Sequence, residues 1–513
     1  MTEDNRGKFN FGRKSTDQRG FFRRMTTEDE NPRGATKKMS STLVLSEAFT
    51  TEEAINRVGF GKFQVKLIIL SGFVALAKGF DSVHNNFINS LTTCQWSLVR
   101  WNAALMFTLC TVLSAVGCII YGIWSDKYGR RTALTSSLIF VFVFGAVSVG
   151  LPNYIWFLVF RSITAFSTGG FAQALTLCCE YIPGKKRGRI FFILSSVWAL
   201  GVIVMLGVLY ATTRPNNYHW RIFAAICTVP ALFAMVMMRF FPESIRFLLV
   251  GDEYASAKNV ADEMAKSNSK TLPSGQLHPV RGASNRGNLF HLLSAAHARS
   301  TLLFWYMGLT TAIAFFSLDS MSPYYIGDVE DNKAMNSTAS NFMGDLYKPV
   351  ECMQNVTNDQ FTKILWTNAL DFPGFIVFML LVDVIDRKIL LCASYLLTCT
   401  FIGLLFLKTA DTLMLTAFIF CARTFLLGEI SMLLLMTSEA FPTIIRGTAV
   451  GVQMSTFYFG FFLTPYISAG FLNLELQFLA GFCCVITFLA AVAAVLITWE
   501  TRGLELADTP ADR

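Results

Sequence analysis

Lys78, Asp81, His84 and Asn85 stand in a run of otherwise apolar residues. At about 100° per residue they fall within one third of a helix circumference. Such a stripe can pair charges and bind or release a proton. Lys78 and Asp81 at i, i+3 can hold one another ionised, and an imidazole with an ordinary pKa of about 6.5 responds to an acidic compartment. Asp371 stands just before Pro373-Gly374, where the missing proline donor loosens a helix and lets a carboxylate reach a cavity. Arg423 and Glu429 lie six residues apart in another apolar run. A charge at mid-bilayer costs about 2.5–3.5 kcal/mol even on a lenient scale, so all seven residues are candidates for binding solute or proton. Asp81 and Asp371 rank first, although a self-neutralised Lys78–Asp81 pair with no further role is the plain alternative. Asp319 is near the end of its run and reads as solvated. Phe315 and Phe316 suit either a cavity wall or ordinary packing.

None of these is a catalytic constellation. The chain has no P-loop, no GxSxG elbow and no CxxC pair, so an enzyme is not expected, nor is a cofactor or a metal. Of 513 residues, 53% are hydrophobic and only 15% charged, against about 25% charged in soluble domains. That composition belongs in lipid. The net charge of +8 sits in the N-terminal tail and in short loops, which argues for orientation signals and against nucleic acid. Most cysteines lie in apolar stretches and act as small hydrophobes. The first 60 residues are polar, so no cleavable signal peptide is expected.

About 20 apolar residues cross a bilayer. Twelve such runs are predicted, near 64–90, 101–123, 132–151, 154–181, 189–212, 219–241, 301–325, 361–382, 389–408, 411–437, 447–470 and 475–498. They divide the chain into a cytoplasmic tail 1–63, a six-helix half 64–241, a cytoplasmic central loop 242–300, a second half 301–498 and a cytoplasmic tail 499–513. Lys127, Arg130, Arg131, Lys185, Lys186, Arg187, Arg189, Arg387, Lys388 and Arg446 all fall in loops on the side of the N-terminus, which predicts cytoplasmic termini. Two sequons, at Asn336 and Asn355, lie in the loop 326–360 on the opposite, luminal side, where glycosylation takes place. Cys94 and Cys352 are the cysteines of the luminal loops, and a disulfide between them is one option.

The halves repeat. Glu180-Tyr-Ile-Pro183 with Arg187-Gly188 recurs as Glu439-Ala-Phe-Pro442 with Arg446-Gly447, an offset of 259. Asp126 with Arg130-Arg131 recurs as Asp383 with Arg387-Lys388, and Glu243 recurs as Glu500, both offset by 257. Arg161 and Arg423 differ by 262. Two parallel six-helix repeats describe a transporter. The charged loop residues Asp126, Arg130, Arg131, Glu180, Arg187 and Glu243, with Asp383, Arg387, Glu439, Arg446 and Glu500, are expected to form a cytoplasmic gate. Simple orientation anchors are the alternative for each.

GIWSDKYGRR at 122–131 resembles the loop motif of the major facilitator superfamily. GFGKFQVKL, PESIRFLL, LWTNALDFPGF, EAFPTIIRGTAVGV and ETRG, spread over residues 59–503, resemble the synaptic vesicle 2-related proteins. The resemblance implies an all-α major facilitator fold with twelve transmembrane helices in two pseudo-symmetric halves. It also implies a vesicle membrane and a transporter. Together with the buried carboxylates, the leading expectation is alternating-access transport of a small organic solute, proton-coupled through Asp81 or Asp371. Three departures accompany it. Asp386 replaces a usual Gly, Tyr458 stands where organic cation transporters carry an acid, and Lys78 stands where the synaptic vesicle 2-related proteins carry one. The last points to a changed solute or coupling ion. Two alternatives stay open: a vesicle glycoprotein that gathers cytoplasmic partners or anionic lipid on its basic tail, and a plasma-membrane organic-ion carrier.

Overall fold

A computed structural model describes residues 48–214, 217–278, 286–326, 358–369, 371–406, 412–472 and 476–508. Asn336, Asn355 and Cys352 lie outside the described residues. The described helices are α1 (Thr51–Val58), α2 (Lys62–Trp96), α3 (Arg100–Tyr128), α4 (Arg130–Val149), α5 (Tyr154–Thr168), α6 (Ala172–Glu180), α7 (Gly184–Thr212), α8 (Trp220–Met237), α9 (Ile245–Val250), α10 (Tyr254–Ser267) and α11 (Ala298–Ile326). They continue as α12 (Asn358–Ala369), α13 (Asp371–Leu381), α14 (Arg387–Leu404), α15 (Thr412–Ala440), α16 (Arg446–Leu472) and α17 (Leu476–Leu496). Among the described residues, eleven helical spans are long and apolar enough to cross a membrane. The 27-residue α16 is the twelfth of that length. The chain is a multi-pass membrane protein.

Backbone groups in lipid must be satisfied within the segment, and the helices do this. The fourth span stays continuous where it passes from α5 through a 3-10 turn at Gly169–Phe171 into α6. The expected eighth span is described on either side of residue 370, as α12 and α13, and is one of the spans long and apolar enough to cross a membrane. The expected tail and central loop also carry helices. α1 begins with a Thr50 capping box, which satisfies its first free N–H groups. In the central segment, α9 and α10 join the core that also holds Ile55, Val58, Phe63 and Leu67.

The packing repeats as the sequence does. In the first half α2 packs on α7 and α8, α4 on α5 and α8, and α3 on α5. In the second half α11 packs on α16 and α17, α14 on α15 and α17, and α13 on α15. The halves meet along α3 with α16 and along α7 with α13. Glycine allows the close approaches, since lipid offers no hydrophobic drive and contact must come from fit. A Cβ on Gly451 of α16 would lie 2.3 Å from the Cys118 carbonyl oxygen of α3, and one on Gly122 would lie 2.7 Å from that of Gly447. Inside the first half, a Cβ on Gly117 would fall 1.9 Å from the Phe166 carbonyl oxygen.

Gly117→Ala therefore must push α3 from α5. The expected cost is about 1–3 kcal/mol, read as a lowered thermal midpoint in detergent. An unchanged midpoint would contradict this packing.

Candidate functional site

Two groups of buried charge stand out, one at an end of the bundle and one inside it. The end is where α3 turns into α4, α6 into α7, α13 into α14 and α15 into α16; it is called the latch end below. Asp126, at the foot of α3, accepts hydrogen bonds from the Gly447 N–H (3.0 Å), the Thr448 N–H (2.7 Å) and the Thr448 hydroxyl (2.8 Å). A first-half carboxylate thus caps the first turn of a second-half helix, where free N–H groups and the helix dipole favour negative charge. Its repeat partner mirrors it, as Asp383 accepts from the Arg189 N–H of α7 at 3.2 Å. Glycine makes room in both copies, for a Cβ on Gly447 would meet Asp126 Oδ1 at 2.8 Å and one on Gly188 would meet Asp383 Oδ1 at 2.6 Å.

The arginines cross as well. Arg446 binds Glu180 at 2.7 Å, and Arg187 approaches Glu439 at 3.5 Å, each pair joining the two halves. Arg130 adds a contact to Glu180 (3.4 Å) and donates to the Thr443 carbonyl (2.7 Å); Arg387 pairs with Glu439. Glu243 accepts from the N–H groups of Arg130 (3.0 Å) and Arg131 (3.2 Å), and Glu500 from those of Arg387 and Lys388 (both 3.1 Å). Arg131 contributes its backbone there. All eleven residues of the expected gate thus come together.

The sequence reading missed the two chain ends. Arg246, fully buried, pairs with Glu52 of α1 and with Asp508 (2.9 Å), and donates to the Leu506 carbonyl (2.9 Å). The Ala507 carbonyl accepts from the Thr443 N–H (3.0 Å) and from Arg446 (3.1 Å). Glu52 and Asp508 have no repeat partners, so the duplication could not point to them.

Inside the bundle Arg161 donates to Asp81 and to Asn85, both at 2.5 Å, Asn85 donates to Asp81 at 3.1 Å, and Lys78 stands 3.5 Å from Asp81. The i, i+3 pair is present, yet the nearest partner of Asp81 is Arg161, 80 residues on. In the second half Arg423 pairs with Asp319 and lies 3.6 Å from Asp371, with Phe315 4.8 Å beneath its guanidinium. Asp319 is therefore a partner as well as partly solvated. Asp81 on α2 and Asp319 on α11 are counterparts 238 residues apart. Their offset differs from 257 because the segment after α11 is the longer, and that mismatch hid the pair from a search at constant offset. Glu429 points elsewhere: it accepts from Thr398 at 2.8 Å and does not meet Arg423. His84 is buried against Phe223, with neither ring nitrogen hydrogen-bonded among the described residues.

Such geometry ties two rigid halves at one end while keeping charge at their centre. Residues 67–321 match the family model described as "Sugar (and other) transporter". The fold resembles the proton:xylose symporter XylE bound to 6-bromo-6-deoxy-D-glucose, with a TM-score of 0.60 over 86% of this chain and 97% of that one at 17% identity. The chain is 28% identical to the synaptic vesicle 2-related protein of Xenopus laevis over 90% of its length and 83% of the relative's. The chain has the fold of the major facilitator superfamily, and its likeness to this family model and these proteins makes it a membrane solute transporter. The organic cation/carnitine transporter 7 of Arabidopsis thaliana is also similar, at 24% identity over 90% of this chain and 96% of that one. A transporter of this kind is not an enzyme.

Breaking one partner of a buried pair strands a charge and costs about 3–5 kcal/mol. Glu439→Gln takes the carboxylate from Arg387 and leaves Arg187 with Glu52 alone, at 3.5 Å, and should lower the thermal midpoint well below that of Arg502→Gln. The latter loses only the exposed 3.2 Å pair with Asp386, worth at most about 1 kcal/mol. Equal midpoints would show that the crossed pairs hold nothing. Burial pushes the Glu243 carboxyl above its ordinary value, against the pull of the Ser244 N–H and Arg130. The folded protein then holds this proton more tightly than the unfolded chain, so stability should fall as pH rises from the ordinary carboxylate range through the raised value. Glu243→Gln should flatten that part of the pH–midpoint curve.

Proposed function

We propose that this facilitator is a proton-coupled carrier of a small organic solute, with its latch end facing the cytoplasm. The observation that carries the coupling is the sharing of one arginine by two carboxylates. Arg423 reaches both Asp319 and Asp371, so one carboxylate is always in surplus. Asp371 is buried and Asp319 half exposed; when Arg423 engages Asp319, Asp371 is left to take a proton, since an unpaired carboxylate inside a membrane is strongly disfavoured. Asp81 differs, because Arg161, Asn85 and Lys78 surround it and hold its charge.

Alternating access follows from the latch. Opening the latch end must break the Glu180–Arg446 and Glu439–Arg187 pairs and free the α16 terminus from Asp126, and neutralisation at the centre supplies a reason for the halves to move. The basic loops at this end support a cytoplasmic setting for it and for both termini. The name of the Xenopus relative favours a vesicle membrane, and the basic N-terminal tail would there meet anionic lipid or cytoplasmic partners.

The test is uptake into proteoliposomes with and without an inward proton gradient. Asp371→Asn should abolish gradient-driven accumulation while leaving solute exchange at equal pH. Accumulation as strong as in the wild type would remove the coupling role from Asp371.

A further inference from the structure

We infer that the solute is an organic anion, whose charged end is taken by Lys78 and Arg161 and whose apolar body lies on an aromatic strip formed by both halves. The inference rests on the carrier reading above and names its substrate class.

The first support is charge. Lys78 and Arg161 share the single carboxylate of Asp81, so this cluster carries one positive charge in excess. An uncompensated charge at such depth calls for a partner. The second is hydrogen bonding. Both oxygens of Asp81 are engaged, by Arg161 at 2.5 Å and by Asn85 at 3.1 Å. Donors remain. Arg161 Nε is buried with no hydrogen-bond partner among the described residues, as are both ring nitrogens of His84, one of which carries hydrogen. Arg161 and His84 are each 2% exposed. The Lys78 ammonium has three donors, facing one Asp81 oxygen at 3.5 Å and the Tyr458 hydroxyl, which leaves one for a ligand. A cluster rich in buried donors and positive charge selects a carboxylate-like group.

The third support is position. The Lys78 side chain keeps 18% of its surface open, and its ammonium sits 5.2 Å from the Tyr458 ring on α16 of the other half. It therefore stands at the seam between the halves. From Tyr458 the rings run to Phe457 (6.1 Å), Phe316 (5.6 Å), Phe461 (3.9 Å) and Phe107 (4.9 Å). Phe107 belongs to the first half and the others to the second. An apolar or aromatic body anchored at Lys78 would touch both. One proton taken by Asp371 for each anion bound would let the loaded carrier move no net charge.

Four probes that share a phenyl ring separate the classes: benzoate, benzylamine, phenylalanine and benzyl alcohol. Each is added to the purified full-length protein in detergent, and the thermal midpoint is followed with concentration. Benzoate should raise it, because a ligand bound only to the folded state stabilises in proportion to its occupancy. Lys78→Gln should weaken benzoate at least tenfold, and Lys78→Arg should keep it. Each variant is first checked for a wild-type elution profile and ligand-free midpoint, and Lys78→Arg keeps the comparison valid should the glutamine variant fold poorly. A larger response to benzylamine or phenylalanine than to benzoate overturns the inference. So does a benzoate response unchanged in Lys78→Gln, or no response to any probe. The carrier reading fails separately: whichever probe binds is used for the gradient-driven uptake assay, and binding without accumulation counts against the carrier and not against the anion.

Discussion

The structure depends on a crossed pair of ion pairs. Glu180 of the first half holds Arg446 of the second, and Glu439 of the second faces Arg187 of the first. Each arginine and each glutamate is buried, so none can turn to water when its partner leaves. Under the proposed alternating access the latch end would have two states rather than a continuum, with all partners engaged or the charges released together into a solvated opening. Around this cross, Asp126 caps a helix start of the opposite half and Asp383 reaches the second turn of α7, while Glu243 and Glu500 cap starts of their own halves.

Close backbone contact makes the cross possible. α3 and α16 approach through Gly122, Gly447 and Gly451, where any side chain would strike a backbone or carboxylate oxygen. The chain ends add a further tie, because Arg246 gathers Glu52 from before the first span and Asp508 from after the last. Residues 506–508 bond to Arg246 on one side and to Thr443 and Arg446 on the other. Both ends of the described chain are thus fastened among the residues that join the halves.

At the centre the duplication is kept in form and altered in charge. Each half sets an aspartate of its first span against an arginine of its fourth, Asp81 with Arg161 and Asp319 with Arg423. The first half adds a cation, Lys78, and the second an anion, Asp371. The first cluster thus holds two cations to one carboxylate and the second two carboxylates to one cation, the asymmetry on which the proposed solute and proton sites rest.

The twelve runs, the duplication and the members of the latch were legible in the sequence. Hydropathy over about 20 residues reports a span directly, and charged loop residues at a constant offset report a repeat wherever their partners lie. The Lys78, Asp81 and Asn85 stripe was legible for the same reason, since helical periodicity places near neighbours on one face. What only the tertiary structure decided is which charge meets which. Glu180 and Arg446 are 266 residues apart, Arg161 and Asp81 are 80 apart, and Arg423 turns to Asp319 and Asp371 rather than to Glu429. A local pattern specifies the face on which a side chain lies. The helix opposite that face is chosen by how whole helices pack, through shape and glycine contact that no short stretch of sequence contains.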